Sequence, residues 1–161
     1  MKITDFLKQD LVIAEIQAKD KAGVLAELAQ KMAEKYPAIA PDKYTNLSQQ
    51  ELERVLWERE KLESTGIADG VAIPHGKMAS LSELVAAFGR SSPGIDFQAI
   101  DGKPSHIFFV LVAPENSVGL HLKALARISR LCKNQSFRTR LLEAKDASDL
   151  FQAISEEDGR Y

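Results

Sequence analysis

The spacing of apolar residues changes several times along the chain, and each change marks an element. Residues 3–7 make a short apolar turn, Ile3-Thr4-Asp5-Phe6-Leu7. Residues 11–16, Leu-Val-Ile-Ala-Glu-Ile, are rich in β-branched side chains and predict a strand. After Asp20 the period lengthens. Val24, Leu25, Leu28, Ala29 and Met32 share one face of a helix that ends near Lys35, and Asp20 supplies a short acceptor to cap it. Pro37 and Pro41 interrupt the pattern, so residues 36–46 are expected to form a loop. Ser48 and Glu51 have capping-box spacing and open a second helix, with Leu52, Val55 and Leu56 turned inward. Trp57 either packs beside this stripe or marks a partner surface, and its neighbours favour packing.

Residues 65–77 hold Gly66, Gly70, Pro74 and Gly76, too much punctuation for a helix. They read as a turn, a short strand over 71–73 and a loop. Residues 83–89 and 107–112 are predicted strands. The second, Ile-Phe-Phe-Val-Leu-Val, does not alternate, which is the mark of a central strand buried on both faces. Pro93-Gly94 and Asp101-Gly102 mark intervening loops. Helical spacing returns from Val118 to about Lys133, over 137–143, and from a capping Asp146 to about Ile154. No repeat, low-complexity tract or linker divides the chain. Helices bracketing a strand-rich middle predict one mixed α/β domain with helices packed on a sheet.

Composition narrows the function. The chain has 161 residues, room for one ordinary domain, and 45% hydrophobic residues, enough for a core. Its 21 basic and 23 acidic residues nearly cancel, which argues against a broad nucleic-acid footprint. No run approaches the roughly 18 apolar residues of a membrane span. No apolar region follows Lys2, so direct membrane insertion is not expected and a cytoplasmic protein is. The single Cys132 forbids an internal disulfide. It lies in a helical apolar stripe, where a buried, inert thiol is the better reading than a reactive one.

Three histidines are candidates for chemistry. His75 follows Ala72-Ile73-Pro74 and precedes Gly76-Lys77. Proline fixes the approach of the chain, glycine leaves room beside the imidazole, and Lys77 adds positive charge. A neutral imidazole is a nucleophile near its ordinary pKa of about 6.5. Local chemistry leaves a nucleophilic histidine and a plain surface histidine equally open. His121 is expected in the first turn of a helix, where amide donors favour an anion; a solvated helix-end residue is the equal alternative. His106, just before the buried strand, reads as a structural residue bonded to a neighbour. Arg59 has a fork suited to a phosphoryl group, although alone it reads as part of a solvated charge run. The chain has no His-Glu-x-x-His, cysteine pair, P-loop or nucleophile elbow. Neither a metal nor a cofactor is expected.

The stretch from Arg59 through Glu60, Gly66, Asp69 and Gly70 to Val71-Ala72-Ile73-Pro74-His75-Gly76 resembles the signature of the fructose/mannitol class of IIA domains of the bacterial phosphotransferase system. The later segment from His121 to Arg130 resembles the nitrogen-regulatory branch of that class. The likeness runs from Ile3 to Ile154, so residues 1–161 are expected to be a single IIA type-2 domain. It implies an α/β/α sandwich with a mixed central β-sheet. It also implies a phosphorylated histidine at His75, with Arg59 and His121 beside it and, in some members, an active-site acid at Asp69. The implied donor is an HPr-like phosphocarrier protein (NPr type). Implied targets are a sensor kinase or potassium transporter for a regulator, or a IIB domain for a sugar-transport component. The branch resemblance favours regulation. The sequence departs from the pattern in a longer connection over 36–46, in Glu63 where glycine is frequent, and in His106 where an acid is frequent.

Overall fold

The fold is described from a computed structural model that covers residues 1–43 and 47–161. After two short 3-10 turns, Ile3–Asp5 and Gln9–Leu11, come β1 (Val12–Ile13), α1 (Lys21–Ile39), α2 (Gln49–Leu62), β2 (Val71–Ala72), β3 (His75–Met78), β4 (Val85–Ile95), β5 (Ser105–Pro114), α3 (Val118–Cys132), α4 (Gln135–Glu143) and α5 (Ala147–Asp158). The sheet is five-stranded and mixed. Its order is β1-β4-β5-β2, with β3 also paired to β5. Helices α1 and α2 pack together over β4 and β3, and α3, α4 and α5 cover β5, β4 and β1 from the other face. This is the expected α/β/α sandwich. No helix of the described residues is long and apolar enough to cross a membrane.

β5 is central, as its unbroken apolar run predicts. Val110, Leu111, Val112 and Phe108 are fully buried. Phe88 meets Phe109 edge-to-face at 4.8 Å across the β4–β5 ladder, and Phe97 lies 5.2 Å from Phe108. Each such ring contributes about 1.5–3 kcal/mol by burial alone. The predicted caps form. Asp20, Ser48 and Asp146 each accept a backbone N–H three residues ahead, from Gly23, Glu51 and Asp149.

Four expectations are corrected. The loop expected over 36–46 begins later, because α1 runs on through Pro37 to Ile39. Proline removes one helical hydrogen bond. Buried Tyr36 offsets that loss: its hydroxyl accepts the Ala86 N–H at 2.8 Å and also reaches the Phe6 carbonyl. The last three residues of that expected loop, Tyr44, Thr45 and Asn46, lie outside the described residues. The strand expected over 11–16 shrinks to Val12–Ile13, which pair with Phe88 and Gly89 of β4; beyond them the Ile16 N–H still bonds the Arg90 carbonyl at 2.8 Å. Pro93-Gly94 is an irregularity inside β4, not a loop. Gly94, at φ 84, passes so close to His106 that a Cβ would sit 2.7 Å from the ring. Trp57 is 39% exposed rather than packed.

The segment that carries His75 differs most from its predicted form. Residues 74–77 are not a loop. Val71 pairs with Ile107 and His75 pairs with Leu111, so β2 and β3 keep one parallel register along β5. Pro74 interrupts the ladder because it has no N–H, but its carbonyl still accepts the Leu111 N–H at 3.0 Å. His75 therefore stands on a strand held by the most buried element of the protein.

Candidate functional site

Three predicted residues from distant parts of the sequence meet in one groove of about 650 Å³. His75 and Lys77 come from β3, where alternate residues share a face. Arg59, with Val55 and Leu62, comes from α2, and His121, with Val118 and Leu122, from α3.

Gly76 explains how α2 comes so close. A Cβ there would stand 2.4 Å from Val55 Cγ1 and 3.4 Å from the Val55 carbonyl. The glycine thus makes room for helix α2, not for an incoming partner as its place beside His75 suggests. Arg59 lies one helical turn beyond Val55, so this contact sets its distance from β3.

The imidazole of His75 is locked at one nitrogen. Nδ1 lies 2.7 Å from the Ile73 carbonyl. A carbonyl only accepts, so this bond assigns the proton to Nδ1 and leaves the lone pair on Nε2. Burial pushes the pKa of His75 down; the Ile73 bond opposes this, and the Arg59 charge adds to the lowering.

The His121 ring meets His75 edge-on, with centroids 5.5 Å apart. His121 is 4% exposed, and its Nε2 has no hydrogen-bond partner among the described residues. Buried polar atoms are rarely left so, and this one lies on the lining of the groove, beside His75. Burial, followed by the fields of His75 and Lys77, lowers its pKa to about 4. The ring is neutral at physiological pH and has one N–H to donate. His121 lies in the first turn of α3, as predicted, and its own amide already bonds to Ser117.

Arg59 donates through Nη1 to the Glu63 carbonyl at 2.7 Å, just past the end of α2. That contact uses one of its five N–H groups and restrains the guanidinium at the groove. An exposed apolar rim surrounds the polar floor, with Leu62 83%, Leu122 61% and Val118 50% exposed.

Asp69 is not part of this groove. It lies in the turn before β2 at φ 65, exposed, 3.9 Å from Arg138 Nη1 of α4. Several residues separate it from His75 along an extended edge, so it does not join the other three. Ile73 and Ile67 are likewise not on its lining, whose apolar residues include Val55, Met78 and Leu125. Val71 and Met78 are core residues, while Leu120 is 40% exposed. His106 is structural as read: its Nδ1 bonds to the Ser91 carbonyl at 3.0 Å. Cys132 is buried, and burial raises its thiol to about pKa 12, which makes it inert. Glu115 and Arg54, on the groove wall, carry no sequence signal that points there. Among the described residues no group of three or more His, Cys, Asp or Glu is arranged to hold a metal ion.

Comparison with known proteins adds an independent line. The family model described as "Phosphoenolpyruvate-dependent sugar phosphotransferase system, EIIA 2" matches residues 5–157. A nitrogen regulatory protein of Bradyrhizobium diazoefficiens is 36% identical over 155 residues, which cover 96% of this chain and 95% of that protein. The PTS system fructose-specific EIIABC component of Bacillus subtilis is 35% identical over 98% of this chain, but the chain spans only 24% of that relative's length. Among solved structures, the nitrogen regulatory protein IIA-Ntr from Neisseria meningitidis matches with a TM-score of 0.83 at 29% identity, covering 94% of this chain and 98% of that one. IIA mannitol from Escherichia coli shares the fold, with a TM-score of 0.71 at 13% identity.

Proposed function

The chain belongs to the EIIA 2 family of the phosphoenolpyruvate-dependent sugar phosphotransferase system, and we propose that it accepts a phosphoryl group on Nε2 of His75 from the phosphohistidine of a small HPr-like carrier. The observation that carries this reading is the pairing of His75 with His121 at 5.5 Å, one ring with its Nδ1 locked, the other with a buried unpaired Nε2.

In the proposed step, the lone pair of His75 Nε2 attacks phosphorus in line as the donor N–P bond breaks. The departing pair returns to the carrier's imidazole. No net proton moves, and the positive charge that develops on His75 is shared through Nδ1–H with the Ile73 carbonyl. Such a transfer asks the protein for position and charge. Arg59 neutralises the equatorial oxygens, and His121 donates to one of them. The apolar rim receives the carrier and excludes water, which would hydrolyse the phosphohistidine.

The whole chain acts as one cytoplasmic IIA unit in this reading. The full-length match to nitrogen regulatory proteins favours a regulator whose partners sense phosphorylation, because charge added at His75 alters any interface centred on the groove. A sensor kinase or a potassium transporter is a partner of the right kind. The match to a fructose-specific component supports a second reading, onward transfer to the cysteine of a IIB domain. Transfer to a IIB domain in a reconstituted system separates the two, since only the carrier role requires it.

The test is intact mass spectrometry at neutral to alkaline pH after incubation with phosphoenolpyruvate, Enzyme I and an HPr-type carrier. One acid-labile phosphoryl group is expected on the wild type and none on His75→Ala. Normal labelling of His75→Ala would overturn the acceptor assignment.

A further inference from the structure

Glu60 follows Arg59 on α2 but points the other way, into the protein. Its side chain is 1% exposed, an expensive place for a carboxylate. Three donors converge on it. The Thr65 amide reaches Oε2 at 2.8 Å, the Thr65 hydroxyl bonds Oε1, and the Lys21 ammonium lies 3.0 Å from Oε2. Lys21 is itself held over the Phe97 ring and bonded to Gln98.

The chain of contacts continues past Thr65. The Thr65 carbonyl accepts the Ile73 N–H at 3.1 Å, and Gly66 bridges Ala72. On the other side of the same residue, the Ile73 carbonyl accepts Nδ1–H of His75. Ile73 thus joins Thr65 to the imidazole. Glu60 therefore connects the helix that carries Arg59 to the backbone that orients His75.

We propose that Glu60 is a positioning residue: through Thr65 and Ile73 it holds the His75 imidazole as the Nδ1–H tautomer, with Nε2 free, and keeps Arg59 in register with it. The carboxylate suits this place because it offers two acceptors and a counter-charge to Lys21. Both of its oxygens accept, and all three groups facing it donate. A glutamine there has no charge for Lys21, and its NH₂ must face either Lys21, donor against donor, or the Thr65 hydroxyl, which then has to turn and accept instead of donate. The consequence for phosphoryl transfer rests on His75 being the acceptor; the tautomer does not.

Two measurements on Glu60→Gln, Thr65→Val and Thr65→Ser test this. The first is two-dimensional ¹H–¹⁵N NMR of the His75 ring nitrogens with no phosphoryl donor present. The second is rapid-quench transfer from phosphorylated HPr-type carrier over a range of carrier concentrations. The wild type is expected as the Nδ1–H tautomer, and Glu60→Gln and Thr65→Val as mixtures of both tautomers. Those two variants should lose about tenfold in limiting transfer rate, with the half-saturating carrier concentration within about twofold of wild type. Thr65→Ser keeps the hydroxyl and should restore tautomer and rate. If Glu60→Gln does not fold, isosteric Thr65→Val carries the same test. A wild-type tautomer in either of these variants overturns the proposal, as does Thr65→Ser behaving like Thr65→Val. A wild type that takes no phosphoryl group overturns the acceptor reading instead, and the NMR comparison still decides the role of Glu60.

Discussion

Two imidazoles packed edge-on at 5.5 Å do not readily both carry positive charge, and burial disfavours even one charged ring. The pKa of His121, about 4 in the folded protein, lies well below the 6.5 of an exposed imidazole. Between those values the unfolded chain binds a proton that the folded chain refuses. The stability tied to neutral His121 is thus complete above its unfolded value and is lost as pH falls toward 4; His75 is shifted in the same direction. Urea unfolding at stepped pH is expected to show this slope in the wild type. His121→Gln should flatten it by up to about 1 kcal/mol per pH unit. An equal slope in both proteins would show that His121 is not held neutral by the fold. Arg59→Ala should slow transfer from the carrier about a hundredfold or more, because one fork of charge-assisted donors is lost from the transferring group. The fold should survive, since the Arg59 contact to Glu63 is exposed. A rate within a few-fold of wild type would remove Arg59 from the mechanism. The motif positions that named His75, Arg59 and His121 are ones that the fold brings into a single groove. Asp69 was misleading: the same motif names it, but a left-handed turn aims it at Arg138 on α4.

At the scale of elements, the contact of Gly76 with Val55 decides how α2 sits on the sheet. A methyl group at residue 76 meets a stiff β-branched side chain with helix backbone behind it, so the helix must shift. Gly76→Ala is expected to cost about 1–3 kcal/mol. It should also slow transfer, because Arg59 moves with the helix. Val55→Ala in the same molecule should recover part of both losses, a coupling that a double-mutant cycle of denaturant midpoints would read directly. Additive effects would mean that the two residues do not press on each other. Local signals identified most elements but misjudged several ends. Pro37 and Pro93-Gly94 are breakers by local chemistry. Tyr36 reaching into the core outweighs the first, and the second only interrupts the β5 ladder, which resumes at Ile95 with Ser105.

Across the whole molecule, Asp158 ties together parts that are far apart in sequence. Its buried carboxylate bonds Arg127 of α3 at 2.7 Å and the Thr4 amide at 3.1 Å. The Lys2 ammonium reaches its carbonyl, as does Arg127 Nη2. Asp158→Ala leaves the largely buried Arg127 without its counter-charge and should cost about 3 kcal/mol, seen as a lower urea midpoint with an unchanged slope. A loss below about 0.5 kcal/mol would mean that Arg127 finds water as readily as it finds Asp158. Nothing in the local sequence announces this tie, because a terminal Asp beside a Gly reads as an ordinary helix end. By itself the sequence determined the order of helices and strands, the central place of β5, the helix caps and the identities of three groove residues. Those follow from periodicity, capping chemistry and a motif, all of which act over a few residues. Only the tertiary structure decided that His75 stands on a strand, that Gly76 admits α2, that Asp69 faces away, and that Glu60 reaches His75 through Thr65 and Ile73. Each of these depends on which surfaces meet when the core is buried, and that choice is made by contacts between segments far apart along the chain.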